Sequence, residues 1–161
     1  MVLRKDDIRR PDGSTGIYAV LDKPTYALVM PYDGRRFRLV EQFRYPVGAR
    51  RWEFPQGTAP DLVDAEPSQL AERELREETG LRATSFEALG QLDVAPGMSS
   101  QRGWVFLATG IAEGEADRED EEQDMCSEWF LREDVEQMIH SGVITDAQSI
   151  AAYGLFLLHH R

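Results

Sequence analysis

The sequence predicts an α/β fold, with a mixed sheet packed between helices. Three observations predict it. Two strand-like runs, at 26–31 and 36–43, flank an Asp33-Gly34 pair, the composition of a hairpin. A charged segment at 67–79 carries apolar residues at helical spacing and stops at Gly80, as a glycine-capped helix would. Two more strand-like runs, an acidic loop, a strand and two amphipathic helices follow. Strands, helix, strands, then helices is the order expected of a sheet covered by helices.

Taken in order, Pro11-Asp12-Gly13 reads as a turn and 17–21 as a strand after it. The hairpin strands at 26–31 and 36–43 come next. In the helix at 67–79, Leu70, Ala71 and Leu75 form the buried side. Strands at 86–93 and 103–109 are joined by a loop carrying Ala95-Pro96-Gly97-Met98-Ser99-Ser100. Beyond the acidic loop, 125–131 is a strand. Val135, Met138 and Ile139 define a short helix ending near Gly142. Asp146 caps a last helix, with Ile150, Tyr153, Leu157 and Leu158 facing inward.

A chain of 161 residues is long enough for one domain with a sizeable core, and 1–161 is read as a single domain. No apolar run approaches the length of a membrane span, and the start lacks the apolar core of a signal peptide. Cys126 is the only cysteine, so no intrachain disulfide forms. That suits a reducing cytoplasm. The net charge of −11 argues against nucleic acid as a partner. It is uneven: nine acidic residues and one basic residue fall between Glu113 and Glu128. Most of that run reads as a solvated loop, but beside a metal site one or two of its carboxylates would do chemistry.

The most informative stretch is Arg73-Glu74-Leu75-Arg76-Glu77-Glu78-Thr79-Gly80-Leu81. Glu74, Glu77 and Glu78 stand at i, i+3 and i+4, so a helix puts them on one face. Like charges crowded there destabilise the helix. A cation would neutralise them, and hard divalent cations take oxygen ligands together with substrate phosphates. By spacing alone, a solvated acidic face is the competing reading. Trp52-Glu53-Phe54-Pro55-Gln56-Gly57 precedes the helix. Gly-rich turn, acidic helix and terminal glycine together resemble the Nudix hydrolase signature. Its second half matches from Arg73 to Leu81. Its first half departs: Gly57 to Arg73 is two residues longer than the family spacing, and Ala65, between Asp64 and Glu66, occupies the slot of a glutamate.

The resemblance implies a Nudix-type α/β/α sandwich and hydrolysis of a nucleoside diphosphate linked to another group. It implies Mg2+, with Mn2+ as a possible replacement, held by Glu74, Glu77 and Glu78 and by the backbone carbonyl of Gln56. Arg73 would orient one of the glutamates. None of His140, His159 and His160 is well placed as a base, which leaves carboxylates. The segment 120–125 resembles the acidic loop of ADP-ribose pyrophosphatases, which assigns the base to Glu121 first and Glu122 second. Gln123 stands where some relatives carry another metal-binding glutamate.

A second resemblance bears on substrate. Pro96 lies fifteen residues beyond Leu81, in Pro96-Gly97-Met98-Ser99, as in relatives that cleave ADP-ribose to AMP and ribose 5-phosphate. Alone, Pro96-Gly97 is an ordinary turn. The stretches 39–48 and 142–147 also resemble that subfamily. It implies that Arg44 contacts a phosphate, that Glu53 binds substrate or metal, that Trp52 or Phe43 stacks on adenine, and that Pro96, Gly97 and Met98 adjoin substrate. It also implies a homodimer that exchanges N-terminal strands, about 14–45. Phe54-Pro55-Gln56-Gly57 instead resembles dinucleoside polyphosphate and RNA 5′-pyrophosphate hydrolases. Arg35, Arg36, Arg38, Arg44, Arg50 and Arg51 would bind pyrophosphate, pair with the acidic loop or face solvent. A non-catalytic nucleotide sensor is the third reading.

Overall fold

Strands β3 (Tyr26–Pro31) and β8 (Arg102–Thr109) are nearly continuous apolar runs, the composition of strands covered on both faces. They pair in parallel, Leu28 opposite Val105. Successive side chains point to opposite faces, and two cores result. Ala27, Val29, Phe106 and Ala108 lie on one side with Leu70, Ala71 and Leu75 of helix α1 (Pro67–Thr79). Tyr26, Leu28, Met30, Val105 and Leu107 lie on the other with Ala152, Tyr153 and Phe156 of helix α3 (Ala147–His159). The protein is thus an α/β/α sandwich around a mixed sheet. The computed structural model describes residues 1–58, 66–116 and 124–160.

Strands β6 (Gln56–Thr58) and β7 (Ser85–Asp93) complete a mixed sheet of order β6-β3-β8-β7. A second, antiparallel sheet has β4 (Arg36–Arg44) between β5 (Ala49–Glu53) and β9 (Cys126–Leu131). Helix α2 (Arg132–His140) follows β9. Strands β1 (Val2–Arg9) and β2 (Thr15–Asp22) form a separate hairpin. No helix among the described residues is long and apolar enough to cross a membrane.

The helix predicted at 67–79 has those bounds, and Gly80 closes it with φ of 74°. Residues 114–116 cross that glycine so closely that a Cβ would stand 2.6 Å from the Gly114 carbonyl oxygen. Asp33 Oδ1 holds the β3–β4 turn by accepting from the Arg35 and Arg36 amides at 2.9 and 2.6 Å, but the expected hairpin is corrected: beyond a single Tyr32–Phe37 bridge the two strands enter different sheets. Asp146 caps α3 as predicted, accepting from the Ser149 amide at 2.8 Å.

The inward face of α3 is corrected. Ile150, Leu157 and Leu158 are exposed, and Ser149, Ala152, Tyr153 and Phe156 are buried. The buried set has i, i+3, i+4, i+7 spacing, and the ring of Phe156 packs edge-on against Phe37 at 5.0 Å. Apolar residues surround this helix, so hydrophobicity alone does not fix its rotation. Strand β1 was not anticipated: Arg4, Lys5, Asp6 and Asp7 hide its pattern, and it is held by its partner β2.

Candidate active site

Strands β5 and β6 and helix α1 bring the signature together. Glu74 and Glu78 are buried, at 6% and 1% exposure, and Glu77 is half-buried. A buried carboxylate is costly unless it is paired or holds a cation. Arg73 supplies part of the pairing. Its Nη2 donates to Glu74 Oε1 at 2.9 Å and to the Thr58 carbonyl at 3.0 Å, and its Nε lies 3.3 Å from Glu77 Oε2. One guanidinium thereby ties two glutamates of α1 to the end of β6. Gly57 is part of the same fit. The Glu74 carboxylate occupies the space a side chain at Gly57 would need.

Among the described residues no three His, Cys, Asp or Glu side chains converge into a ready-made cage for a metal ion. The donor set still fits a hard divalent cation. Mg2+ is usually held by one or two carboxylates and completed by substrate phosphates and water, and α1 presents carboxylates beside a cleft.

That cleft, of about 570 Å³, opens next to Gly57 and Thr58. Lys23, Arg44 and Arg51 give it cationic walls, and Glu53, Gln56 and Asp146 give it polar ones. The pleat explains the selection. Gln42, Arg44, Arg51 and Glu53 share one face of the β4–β5 ladder, while Phe43, Arg50 and Trp52 project from the other. Trp52 accordingly packs edge-on against Phe130, with ring centres 4.9 Å apart.

Glu53 is the best-buried polar group of the cleft, at 2% exposure. Its Oε1 is paired with Arg44 Nη2 at 2.5 Å and accepts from Gln42 Nε2 at 2.8 Å. Burial pushes its carboxyl up to about 7, against the downward pull of Arg44 and Gln42. Tyr26 also lines the cleft. Its hydroxyl has no hydrogen-bond partner among the described residues, and burial, with Asp146 adding to it, raises its pKa to about 12.

The structure therefore gathers Arg44, Glu53 and Gln56 at one cleft and sets Arg73 and Glu74 against its Thr58 and Gly57 lining, with Glu77 paired to Arg73 and Glu78 on the same helix. Pro96, Gly97 and Met98 lie elsewhere, along β2. The Leu21 amide donates to the Met98 carbonyl at 2.8 Å, and the Tyr18 hydroxyl to the Gly97 carbonyl at 2.7 Å. Glu121, Glu122 and Gln123, and Asp64 and Ala65 of the longer signature loop, lie outside the described residues. Glu66 is at the N-cap of α1 with its side chain exposed.

The arginine cluster divides. Arg44 and Arg51 line the cleft. Arg50 joins Glu41 at 2.6 Å to Asp124 at 2.7 Å. Arg36 and Arg38 lie over the Trp129 ring. Sequence reasoning missed Tyr26 and Lys23 as cleft residues and read Asp146 only as a helix cap. The one available signal was that Asp146 lies in a stretch, 142–147, resembling the ADP-ribose-cleaving subfamily.

The profile of the NUDIX domain family matches residues 22–153. The chain is 36% identical over 159 residues to an ADP-ribose pyrophosphatase of Mycobacterium tuberculosis (strain ATCC 25618 / H37Rv), covering 98% of this chain and 75% of that protein. It is 28% identical over 149 residues to an ADP-ribose pyrophosphatase of Bacillus subtilis (strain 168), covering 91% and 80%. Its fold superposes on the crystal structure of an ADP compounds hydrolase with a TM-score of 0.83, at 19% identity, covering 98% of this chain and 83% of that one. With the acidic helix, its closing glycine and the sandwich all in place, the chain belongs to the Nudix family.

Proposed function

We propose that the protein hydrolyses the pyrophosphate bond of ADP-ribose, releasing AMP and ribose 5-phosphate. The observation that carries this reading is the pair of buried carboxylates, Glu74 and Glu78, with Glu77 on the same helix, Glu74 standing against Gly57 of a cleft with cationic walls. Two relatives that bear the name ADP-ribose pyrophosphatase support the choice of substrate.

Hydrolysis adds one water across the P–O–P bridge, so phosphate charge must be neutralised, the water positioned and its proton accepted. A divalent cation, Mg2+ first and Mn2+ as a substitute, would sit on Glu74, Glu77, Glu78 and the Gln56 carbonyl and supply Lewis-acid charge. Arg73 holds Glu74 and Glu77 in place for it. Arg44 and Arg51 meet the diphosphate. Glu53, paired with Arg44, fixes the direction of that guanidinium. Glu121, with Glu122 second, accepts the proton of the attacking water.

The reading includes a cytoplasmic homodimer of a single-domain chain. The β1–β2 hairpin supports it, because Val2, Leu3, Ile17 and Tyr18 are exposed on it. A second copy would cover them, and the hairpin already lies along Gly97 and Met98, so that the loop assigned to substrate by sequence adjoins the exchanged strands.

The test is a Mg2+-dependent hydrolysis panel with product identification: ADP-ribose, a diadenosine polyphosphate, a sugar nucleotide and 5′-triphosphate RNA. The expected result is AMP and ribose 5-phosphate, formed fastest from ADP-ribose. Preference for the dinucleotide or the RNA would make Phe54-Pro55-Gln56-Gly57 the better guide. Binding without turnover of any compound would make the protein a nucleotide sensor.

A further inference from the structure

The side chain of Gln56 crosses the cleft between two carboxyl groups. Its Nε2 donates to Asp146 Oδ2 at 3.1 Å and reaches Glu53 Oε2 at 3.5 Å. A carboxylate accepts hydrogen bonds and an amide NH2 donates them. Facing the Asp146 carboxylate, Gln56 turns its NH2 towards it and its Oε1 away. That oxygen accepts no hydrogen bond from a described residue. Asp146 is committed in the same lopsided way. Its Oδ2 serves Gln56 and the Ser149 amide, and its Oδ1 has no partner among the described residues. Both residues line the cleft.

Asp146 is firmly placed. It caps α3, and the next turn of that helix is pinned because the Phe54 amide donates to the buried Ser149 Oγ at 2.9 Å. Phe54 is two residues before Gln56, so strand β6 and the helix cap are fixed relative to each other. The result is two hydrogen-bond acceptors on the cleft lining, beside an Arg44 whose guanidinium is already bonded to the Glu53 carboxyl that Gln56 approaches. An acceptor pair repels phosphate oxygens. It suits hydroxyl or amino hydrogens.

We propose that the side chains of Gln56 and Asp146 form an acceptor pair that selects substrates by a hydrogen-bond donor, either sugar hydroxyls or the amino group of the base. This rests on the reading of the cleft as a nucleoside diphosphate site. It assigns the Gln56 side chain a role apart from its backbone carbonyl, which substitution leaves in place. Removing one acceptor leaves a bound donor unpaired, a cost worth about tenfold in affinity.

The test compares wild type with Gln56→Met and Asp146→Asn. Each is read for KM and kcat with ADP-ribose, with an analogue lacking ribose hydroxyls, and with an analogue whose adenine is replaced by hypoxanthine. Thermal unfolding confirms folding, and Gln56→Ala replaces any variant that fails to fold. Gln56→Met is expected to raise KM for ADP-ribose about tenfold, with a smaller change in kcat. The analogue lacking the contacted donor is expected to be equally poor with wild type and variant. Insensitivity of the deoxy analogue assigns the pair to sugar hydroxyls, and insensitivity of the hypoxanthine analogue assigns it to the base. An unchanged KM, or an equal rise for all three compounds, overturns the inference while hydrolysis by wild type upholds the function. Should wild type hydrolyse nothing, the function fails, and the same ratios read as Kd by calorimetry in EDTA decide the inference by themselves.

Discussion

Helices α1 and α3 are the same length, thirteen residues each, and cover opposite faces of the same strands, but they differ in what they bury. On α3 the buried set is Ser149, Ala152, Tyr153 and Phe156, with the Ser149 hydroxyl satisfied by the Phe54 amide. Its N-terminus is capped by Asp146. On α1 two of the six buried residues are carboxylates, Glu74 and Glu78, and its N-cap residue, Glu66, makes no side-chain capping hydrogen bond among the described residues. Helix α3 follows the ordinary logic of a scaffold. Helix α1 departs from it, and local departures from stability logic are where function is expected. The same strands support both, which is how a charged helix can be held rigidly.

Breaking the scaffold helix has the largest expected effect on stability. Phe156→Ala removes a fully buried ring that touches Phe37 and Tyr32, and should cost about 3–5 kcal/mol. Chemical denaturation measures this, and turnover per folded molecule should stay near that of wild type. Glu78→Gln on α1 should do the reverse. Turnover should fall about 10²- to 10³-fold, or ~3–4 kcal/mol in the barrier, while the melting temperature holds or rises because a buried charge has gone. An equal loss of stability in the two variants would erase the contrast between the helices.

Glu53 sharpens the comparison from the cleft side. Its carboxyl is raised to about 7 in the folded protein, above its unfolded value of ~4.3. The charged form is therefore disfavoured by folding. Stability from this group is fully present below the unfolded value and is lost as pH rises through about 7. Glu53→Gln should abolish that decline and stabilise the protein at pH ~8 by on the order of 2 kcal/mol. Melting temperatures between pH ~4.5 and ~8 test this range, and parallel curves for variant and wild type would contradict it. The smallest effect is expected of Gly57→Ala. The new methyl group meets the Glu74 carboxylate that Arg73 holds. Turnover should fall about tenfold, ~1.4 kcal/mol, with a nearly unchanged melting temperature.

The contrast also explains what was legible in the sequence. Helix α1 was readable to the residue because its carboxylate spacing, Pro67 and Gly80 mark function and both ends. Strand β3 was readable because an unbroken apolar run bounded by an Asp-Gly turn has few other interpretations. Helix α3 was readable in extent but not in rotation, since Ile150, Leu157 and Leu158 are as apolar as the residues that pack. The cleft was legible at Arg44, Glu53 and Gln56, which stand near the signature in sequence. Tyr26 and Asp146 reach it from 30 and 90 residues away from Gln56, through strand pairing and helix docking that no local pattern encodes. The stacking expected of Trp52 depended on the pleat, which turns it from the cleft towards Phe130.

The proposed role of α1 is to hold a divalent cation for phosphoanhydride hydrolysis. It is tested most directly by Mn2+ binding, followed by electron paramagnetic resonance in the presence of a non-hydrolysable ADP-ribose analogue with a methylene bridge. The account predicts tight binding by wild type, and binding weakened at least about tenfold by Glu78→Gln in a folded protein. Equal Mn2+ binding by the two proteins would contradict it.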